Sequence, residues 1–131
     1  MNLERLEKLI GGDRQTVKGC NLSADEAAAV AHGKFAQHSF CLVQDWTILD
    51  LETTDEELNV LRSRGLKPVL IYALHVVHDS RGRFSTGDWV RSSFQQSYDD
   101  DGFFLTKNTV YVLLGDGNRQ QITARDFLSL Q

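Results

Sequence analysis

The sequence predicts a single α+β domain spanning residues 1–131. An antiparallel sheet of about five strands, or a mixed one, is expected to carry two to three helices mainly on one face. Three observations predict this class. The chain has 131 residues, of which 41% are hydrophobic and 24% charged, a balance usual for one globular domain. Capping boxes mark helices in the N-terminal half. Short β-branched and aromatic segments follow one another closely in the C-terminal half, which is typical of a β-meander.

The helices are predicted from apolar spacing and from capping residues. Residues 2–10 place leucine and isoleucine at helical intervals before a pair of glycines. A second helix is predicted to begin after Ser23, with a glutamate three positions later to complete a capping box. A third is expected after Thr53 or Thr54, with acidic residues in its first turn. The segment after Thr123 resembles another capped helix at the end of the chain.

The strands are predicted over residues 39–51, 69–79, 88–98, 102–115 and 119–122. Turn residues separate the last four, and the sequence GDGN between the final two indicates an ordinary hairpin rather than a phosphate-binding loop. The first two strands could pair in parallel through the intervening helix, by a right-handed crossover, or lie antiparallel elsewhere.

Alternation predicts which side chains of the 39–51 strand share a face, because successive side chains point to opposite sides of a sheet. One face is expected to carry Phe40, Leu42, Trp46 and Ile48, and the other Cys41, Val43, Thr47 and Leu49. Cys41, between two large apolar residues, is expected to be a small buried side chain rather than a nucleophile.

Charge and composition exclude several classes of function. The net charge is −4, and Arg81, Arg83 and Arg91 are the nearest approach to a basic patch, which argues against nucleic-acid binding. No apolar run is long enough to cross a bilayer, so no membrane association is expected. The two cysteines form no pairing motif, which favours reduced thiols and a cytoplasmic location.

The segment YALHVVHD raises the question of a metal or catalytic site. Regular alternation along a strand would place His75 and His78 on opposite faces, where they could not bind one ion. His75 and Asp79 would share a face but lie too far apart for a hydrogen bond, unless a bulge near Val77 shifts one side chain across. The sequence therefore predicts no catalytic residue, no metal site and no cofactor.

The segment GDWVRSS offers the best candidate for binding. Trp89, Arg91 and Ser93 would share one face of a strand, and tryptophan and arginine are the residue types most often found at interaction hot spots. Arginine beside an aromatic ring can also stack or bind a carboxylate or phosphate. The competing interpretation is that Trp89 belongs to the core and that Arg91 is a solvated strand residue.

The runs PVLIYALHVVHDSRGRFSTGDWVRSS and FLTKNTVYVLLGDGNR resemble a family of short uncharacterised bacterial proteins, of pseudomonad type, which are domains of unknown function. The resemblance extends over most of the chain from FCLVQDW onward. It implies a native domain but supplies no catalytic residue. The matching pieces are Cys41 to Trp46, Tyr72 to His75, Asp79 to Gly82, Gly87 to Ser92, and Thr106 to Gly115.

Two hypotheses for the function follow. The first is a non-enzymatic interaction protein: an adaptor, an immunity protein or an inhibitor encoded by a mobile element. Its partner would be another protein or a second copy of the chain, bound around Trp89 and Arg91. The alternative is a small-ligand-binding protein or an enzyme that uses His75 or His78 with Arg91, in a cleft also lined by Tyr111.

Overall fold

The computed structural model describes residues 14–130, which form three helices and eight strands. The helices are α1 (Ala24–Lys34), α2 (Asp55–Ser63) and α3 (Ala124–Leu128). The strands are β1 (Gln15–Lys18), β2 (Ser39–Leu51), β3 (Val69–Asp79), β4 (Val90–Arg91), β5 (Ser97–Asp99), β6 (Phe103–Leu105), β7 (Thr109–Leu113) and β8 (Asp116–Ile122). The helix predicted over residues 2–10 lies outside the described residues.

The capping residues place the helices as predicted. In α1 the Ser23 hydroxyl accepts from the Glu26 amide at 3.2 Å, and the glutamate side chain returns the bond to the Ser23 amide. Thr54 forms the equivalent box at the start of α2. Thr123 accepts from the third residue of α3. Within residues 14–130, no helix combines the length and the apolar character needed to span a membrane.

Strand β2 organises the sheet, because three strands pair with it. Strand β3 runs antiparallel along one edge, while β7 and then β8 run parallel along the other. Strand β4 extends the β3 side, β6 and β5 extend from β7, and β1 extends from β8. The α+β class is thus confirmed, but the sheet is mixed and has eight strands in the described part rather than five. The predicted meander is present as β5, β6 and β7, in which each strand pairs antiparallel with the next one along the chain.

The segment predicted as one strand over residues 88–98 is divided between the two ends of the curled sheet. The Gln95 amide donates to the Val69 carbonyl of β3 at 2.8 Å, whereas the next amide, of Gln96, donates to the Leu105 carbonyl of β6 at 2.7 Å. The chain therefore crosses from one sheet edge to the other at this point. A single straight strand cannot do this, so only β4 and β5 remain regular.

The GDGN hairpin prediction is wrong. After β7 the chain kinks at Gly115, which has φ of 69°, and continues as β8 along β2 in the same direction. Gly117 is required here because a Cβ atom would lie 2.4 Å from the Trp46 ring. The turn-like composition thus marks a bend under a large buried side chain rather than a reversal of the chain.

The core is divided by the sheet into an inner cluster and two outer clusters. The outer clusters are covered by α1 and by α3, on the same side of the sheet. The predicted faces of β2 are wrong beyond its first half, because Gln44 and Asp45 are both exposed and Asp45 has φ of 52°. The inner cluster therefore contains Cys41, Val43, Trp46, Ile48, Val69, Ile71, Ala73, Val76, Val90, Phe104, Tyr111 and Leu113.

Candidate functional site

The chain around β4 forms an edge of the sheet. Arg91 lies opposite Tyr72 of β3, and the amide of the next residue, Ser92, donates to the Ile71 carbonyl at 3.0 Å. In an antiparallel ladder, hydrogen-bonded and non-hydrogen-bonded pairs alternate. The Arg91 amide and carbonyl therefore point away from β3. A short edge with outward-pointing backbone groups can accept a further strand.

Trp89 is exposed but held in place. Its ring stacks on Tyr72, with centroids 5.5 Å apart and planes inclined by 8°. Tyr72 is fully buried, whereas Trp89 is 41% exposed. A buried ring thus fixes one face of the indole, and the remainder stays in contact with solvent. Trp89 therefore belongs neither to the inner cluster nor to a freely moving loop.

Arg91 is held by an aromatic ring rather than by a carboxylate. Its guanidinium carbon lies 4.9 Å from the centroid of the Phe127 ring of α3. Among residues 14–130 no carboxylate forms an ion pair with Arg91. Tyr72 and Phe127 both belong to one outer cluster, so we call the patch formed by Tyr72, Trp89, Arg91 and Phe127 the Trp89 surface.

The predicted alternation along β3 is interrupted. The register pairs Leu42 with His78 but Val43 with Val76, so Val77 is an extra residue in the ladder. The prediction that uninterrupted alternation separates His75 from His78 is therefore wrong, and the bulge considered near Val77 is present. No side-chain contact joins the two imidazoles within the described residues.

The other predicted site residues are distributed over both sides of the sheet. Tyr111 packs in the inner cluster together with Val90, whereas the next residue along, Arg91, faces Phe127 on the outer side. Ser93 is exposed, and the His78 ring lies 6.1 Å from the ring of Phe40. The structure thus brings Trp89 and Arg91 onto one surface and places Tyr111 away from them.

A second polar site, which the sequence analysis did not identify, lies at the other end of β3. Asp79 is fully buried at its side chain and forms a two-pronged ion pair with Arg83, whose Nη2 and Nε donate to Oδ1 and Oδ2 at 2.8 and 3.1 Å. The Arg83 amide donates to Oδ2 as well, at 2.6 Å. Arg83 Nη1 donates to Thr109 of β7 at 3.1 Å. The pair thus ties the loop after β3 to the neighbouring β7.

The electrostatics of this site favour a fixed ion pair over reactive groups. Burial raises the pKa of Asp79, but the hydrogen bonds and charge of Arg83 outweigh it and hold the pKa below its usual value. Burial, followed by the charge of Asp79, raises the pKa of the Cys41 thiol to about 12. Burial and the neighbouring Cys41 raise the pKa of Tyr111 to about 12. Both groups are therefore protonated at neutral pH, as expected for a buried, unreactive Cys41.

A signal for this pair is present in the sequence DSRGR. The Gly82 amide donates to the Asp79 carbonyl at 3.0 Å, and Gly82 has φ of 65°. A turn of this kind folds the chain back, so that the arginine after the glycine meets the carboxylate before it. The partner of Asp79 therefore comes from the turn that follows it and not from His75, which precedes it on the strand.

No three histidine, cysteine, aspartate or glutamate side chains within residues 14–130 are grouped closely enough to hold a metal ion. The polar groups that do meet are an aspartate, an arginine and hydroxyls.

Comparison with known proteins gives a family without an assigned activity. A family model described as a domain of unknown function (DUF6957) matches residues 18–129. The chain therefore belongs to this family, which confirms the predicted resemblance to a domain of unknown function. Neither the curated proteins nor the solved structures provide a match to the chain.

Proposed function

We propose that this member of the DUF6957 family is a non-enzymatic interaction module of the cytoplasm, which binds an acidic segment of another protein through the Trp89 surface. The observation that carries the proposal is the 41% exposure of an indole that is stacked on a fully buried tyrosine ring. The two buried, free cysteines support a reducing compartment.

The fixed position of Trp89 favours binding. A flexible side chain loses rotamer freedom when a partner immobilises it, and this loss opposes association. Trp89 has already lost much of that freedom by stacking on Tyr72. An aromatic side chain that is large, rigid and partly exposed is therefore suited to anchor a partner.

Arg91 determines the chemistry expected of the partner. Its guanidinium has no carboxylate partner in the described part of the chain, and Phe127 supports it from one side. A carboxylate of a partner could supply the missing charge-assisted hydrogen bonds. Because the Arg91 backbone groups point outward, an extended segment could also bond to the main chain at this edge. We therefore propose an extended segment that carries aspartate or glutamate next to an apolar residue.

The polar groups on the other side of the sheet support a non-enzymatic role. A nucleophile at neutral pH needs a lowered pKa or an adjacent base. The pKa of Cys41 is instead raised to about 12. The Asp79 carboxylate accepts three hydrogen bonds from Arg83 and so has little capacity left to act as a base.

A displayed library of random peptides tests the proposal. We expect the wild-type protein to enrich peptides with an acidic residue beside an apolar one, and expect Trp89→Ala and Arg91→Gln to lose this enrichment. Val60→Ser and Arg64→Gln are matched controls, because Val60 is 47% exposed and Arg64 is also exposed, on α2 and at its C-cap. Both controls should retain the enrichment.

Two outcomes would contradict the proposal. The first is no enrichment with the wild type, or enrichment that persists in the Trp89 and Arg91 variants. The second is a wild-type dimer in light scattering that Trp89→Ala converts to a monomer, because a second copy of the chain would then occupy the surface. Urea unfolding of each variant establishes that it is folded.

A further inference from the structure

Three cationic side chains of the described residues line one depression, which lies apart from the Trp89 surface. An open depression of about 760 Å³ lies between the start of β2, the loop after β3 and the β6–β7 turn. Arg81 and Arg83 line it from the loop, and Lys107 lines it from the turn. Among residues 14–130, no acidic side chain lines it. In a chain with a net charge of −4, this local excess of cations is a specific feature rather than a general property of the surface.

The three cations differ in how they are held. Arg83 is fixed in the wall by Asp79, which lies beneath it with its side chain fully buried. Arg81 and Lys107 are exposed and form no ion pair or side-chain hydrogen bond within residues 14–130. The depression therefore keeps about two uncompensated positive charges at its rim, one from each loop.

Neutral polar groups complete the lining. Ser39 places a hydroxyl at the start of β2, 3.2 Å from the Thr109 hydroxyl, and Asn108 contributes an amide side chain. His38 also lines the depression, and its Nδ1 atom is buried without a hydrogen-bond partner among the described residues.

From this arrangement we propose that the depression binds the phosphoryl group of a small phosphate monoester. Two free cations that approach from separate loops match the two negative charges of a phosphoryl group. A carboxylate carries one negative charge and would need only one of them. The amide and hydroxyl groups of the lining suit the hydroxyls of a sugar. The proposal is independent of the Trp89 surface, since the two sites share no residue.

Nuclear magnetic resonance titration of the full chain with inorganic phosphate, glucose 6-phosphate and glucose tests the proposal. We expect saturable shifts of the amides of residues 80–83 and 107–109 with both phosphates, tighter binding of glucose 6-phosphate and no response to glucose. Raising the ionic strength from about 0.02 M to about 0.2 M should weaken the binding, because exposed cations are screened by salt.

Variants at the rim distinguish this site from general charge attraction. Arg81→Gln and Lys107→Gln should each weaken phosphate binding about fivefold, the order expected for a partly solvated charge-assisted contact. The controls Arg64→Gln and Lys67→Gln remove exposed cations outside the depression and should leave the affinity unchanged. The absence of saturable shifts, equal binding of acetate, or equal losses in the control variants would overturn the proposal.

Discussion

Arg83 and Arg91 lie close together in the sequence but are held in different ways. Arg83 donates three hydrogen bonds to the buried Asp79 and one to Thr109, so the fold uses most of its donors. Arg91 rests on the ring of Phe127 and has no carboxylate partner in the described residues. An arginine whose donors are satisfied internally stabilises the fold, whereas one supported by a ring keeps its donors for a ligand or partner.

Two aromatic residues, Tyr111 and Trp89, show a similar contrast. Tyr111 lies in the inner cluster behind Arg83, buried and with a raised pKa. Trp89 lies on the outer side, stacked on Tyr72 and still exposed. At the end of the sheet around Arg83, a buried ion pair holds the loop in place and exposed cations lie beside it. The β4 edge instead carries an exposed aromatic surface.

Removing the charge of Asp79 should have the largest effect on stability. Asp79→Asn leaves the Arg83 guanidinium without its buried counter-charge, and breaking such a pair from one side typically costs about 3 kcal/mol. Equilibrium urea unfolding at neutral pH measures this loss. A change below about 1 kcal/mol would show that the pair is a solvated surface contact, as is usual for exposed ion pairs.

Acid should weaken the wild-type protein more than the Asp79→Asn variant. The folded-state pKa of Asp79 is lowered, so its contribution is present above the unfolded pKa and is lost as the pH falls through the folded one. The free energy of unfolding, measured from about pH 5 down to about pH 2.5, should therefore fall less steeply in the variant. Asp99 and Glu57 also have lowered pKa values and supply the slope that remains. If the unfolding free energies of the wild type and the variant fell in parallel with pH, Asp79 would not contribute to the acid sensitivity.

Cys41 should resist thiol reagents in the folded state. Its side chain is fully buried and its pKa is raised to about 12, so little reactive thiolate forms at neutral pH. In a Cys20→Ala variant, labelling of the one remaining cysteine should be at least about 100-fold slower in buffer than in denaturing urea. The raised pKa also predicts that stability falls as the pH rises from 9.0 towards 12. Rapid native labelling would contradict the burial.

The two tryptophans should differ in their accessibility to a quencher, the smallest of the expected effects. Trp46 is fully buried, and its indole nitrogen donates to the Leu114 carbonyl at 3.1 Å, whereas Trp89 is partly exposed. Iodide should quench part of the wild-type fluorescence and almost none of the fluorescence of Trp89→Phe. Equal fractional quenching in the two proteins would contradict the exposure of Trp89.

Local interactions were predictable from the sequence. Two capping boxes satisfy helix amides within a single turn, and they are formed by Ser23 with Glu26 and by Thr54 with Glu57. Because these contacts are local, they fix the start of α1 and α2 independently of the tertiary fold. The bounds of β2 and β3 were predictable for a similar reason, since both are long and rich in β-branched and aromatic residues.

The features of the fold that the sequence did not predict depend on contacts between distant segments of the chain. The course of β8 is set by Gly117 beneath the ring of Trp46, and the face reversal in β2 is set at Asp45. Neither can be inferred from a two-residue period. For the candidate site, alternation predicted that Trp89 and Arg91 lie on one surface, where the structure has them, but it could not place Tyr111 or the bulge at Val77.

The difference between the two arginines is tested most directly by the unfolding free energies of Arg83→Gln and Arg91→Gln, measured in urea under identical conditions. Loss of Arg83 leaves a buried carboxylate unpaired and should cost about 3 kcal/mol, while loss of Arg91 removes a contact with one ring and should cost less than about 1 kcal/mol. Equal losses, or a larger loss for Arg91, would contradict the assignment of Arg83 to the fold and of Arg91 to binding.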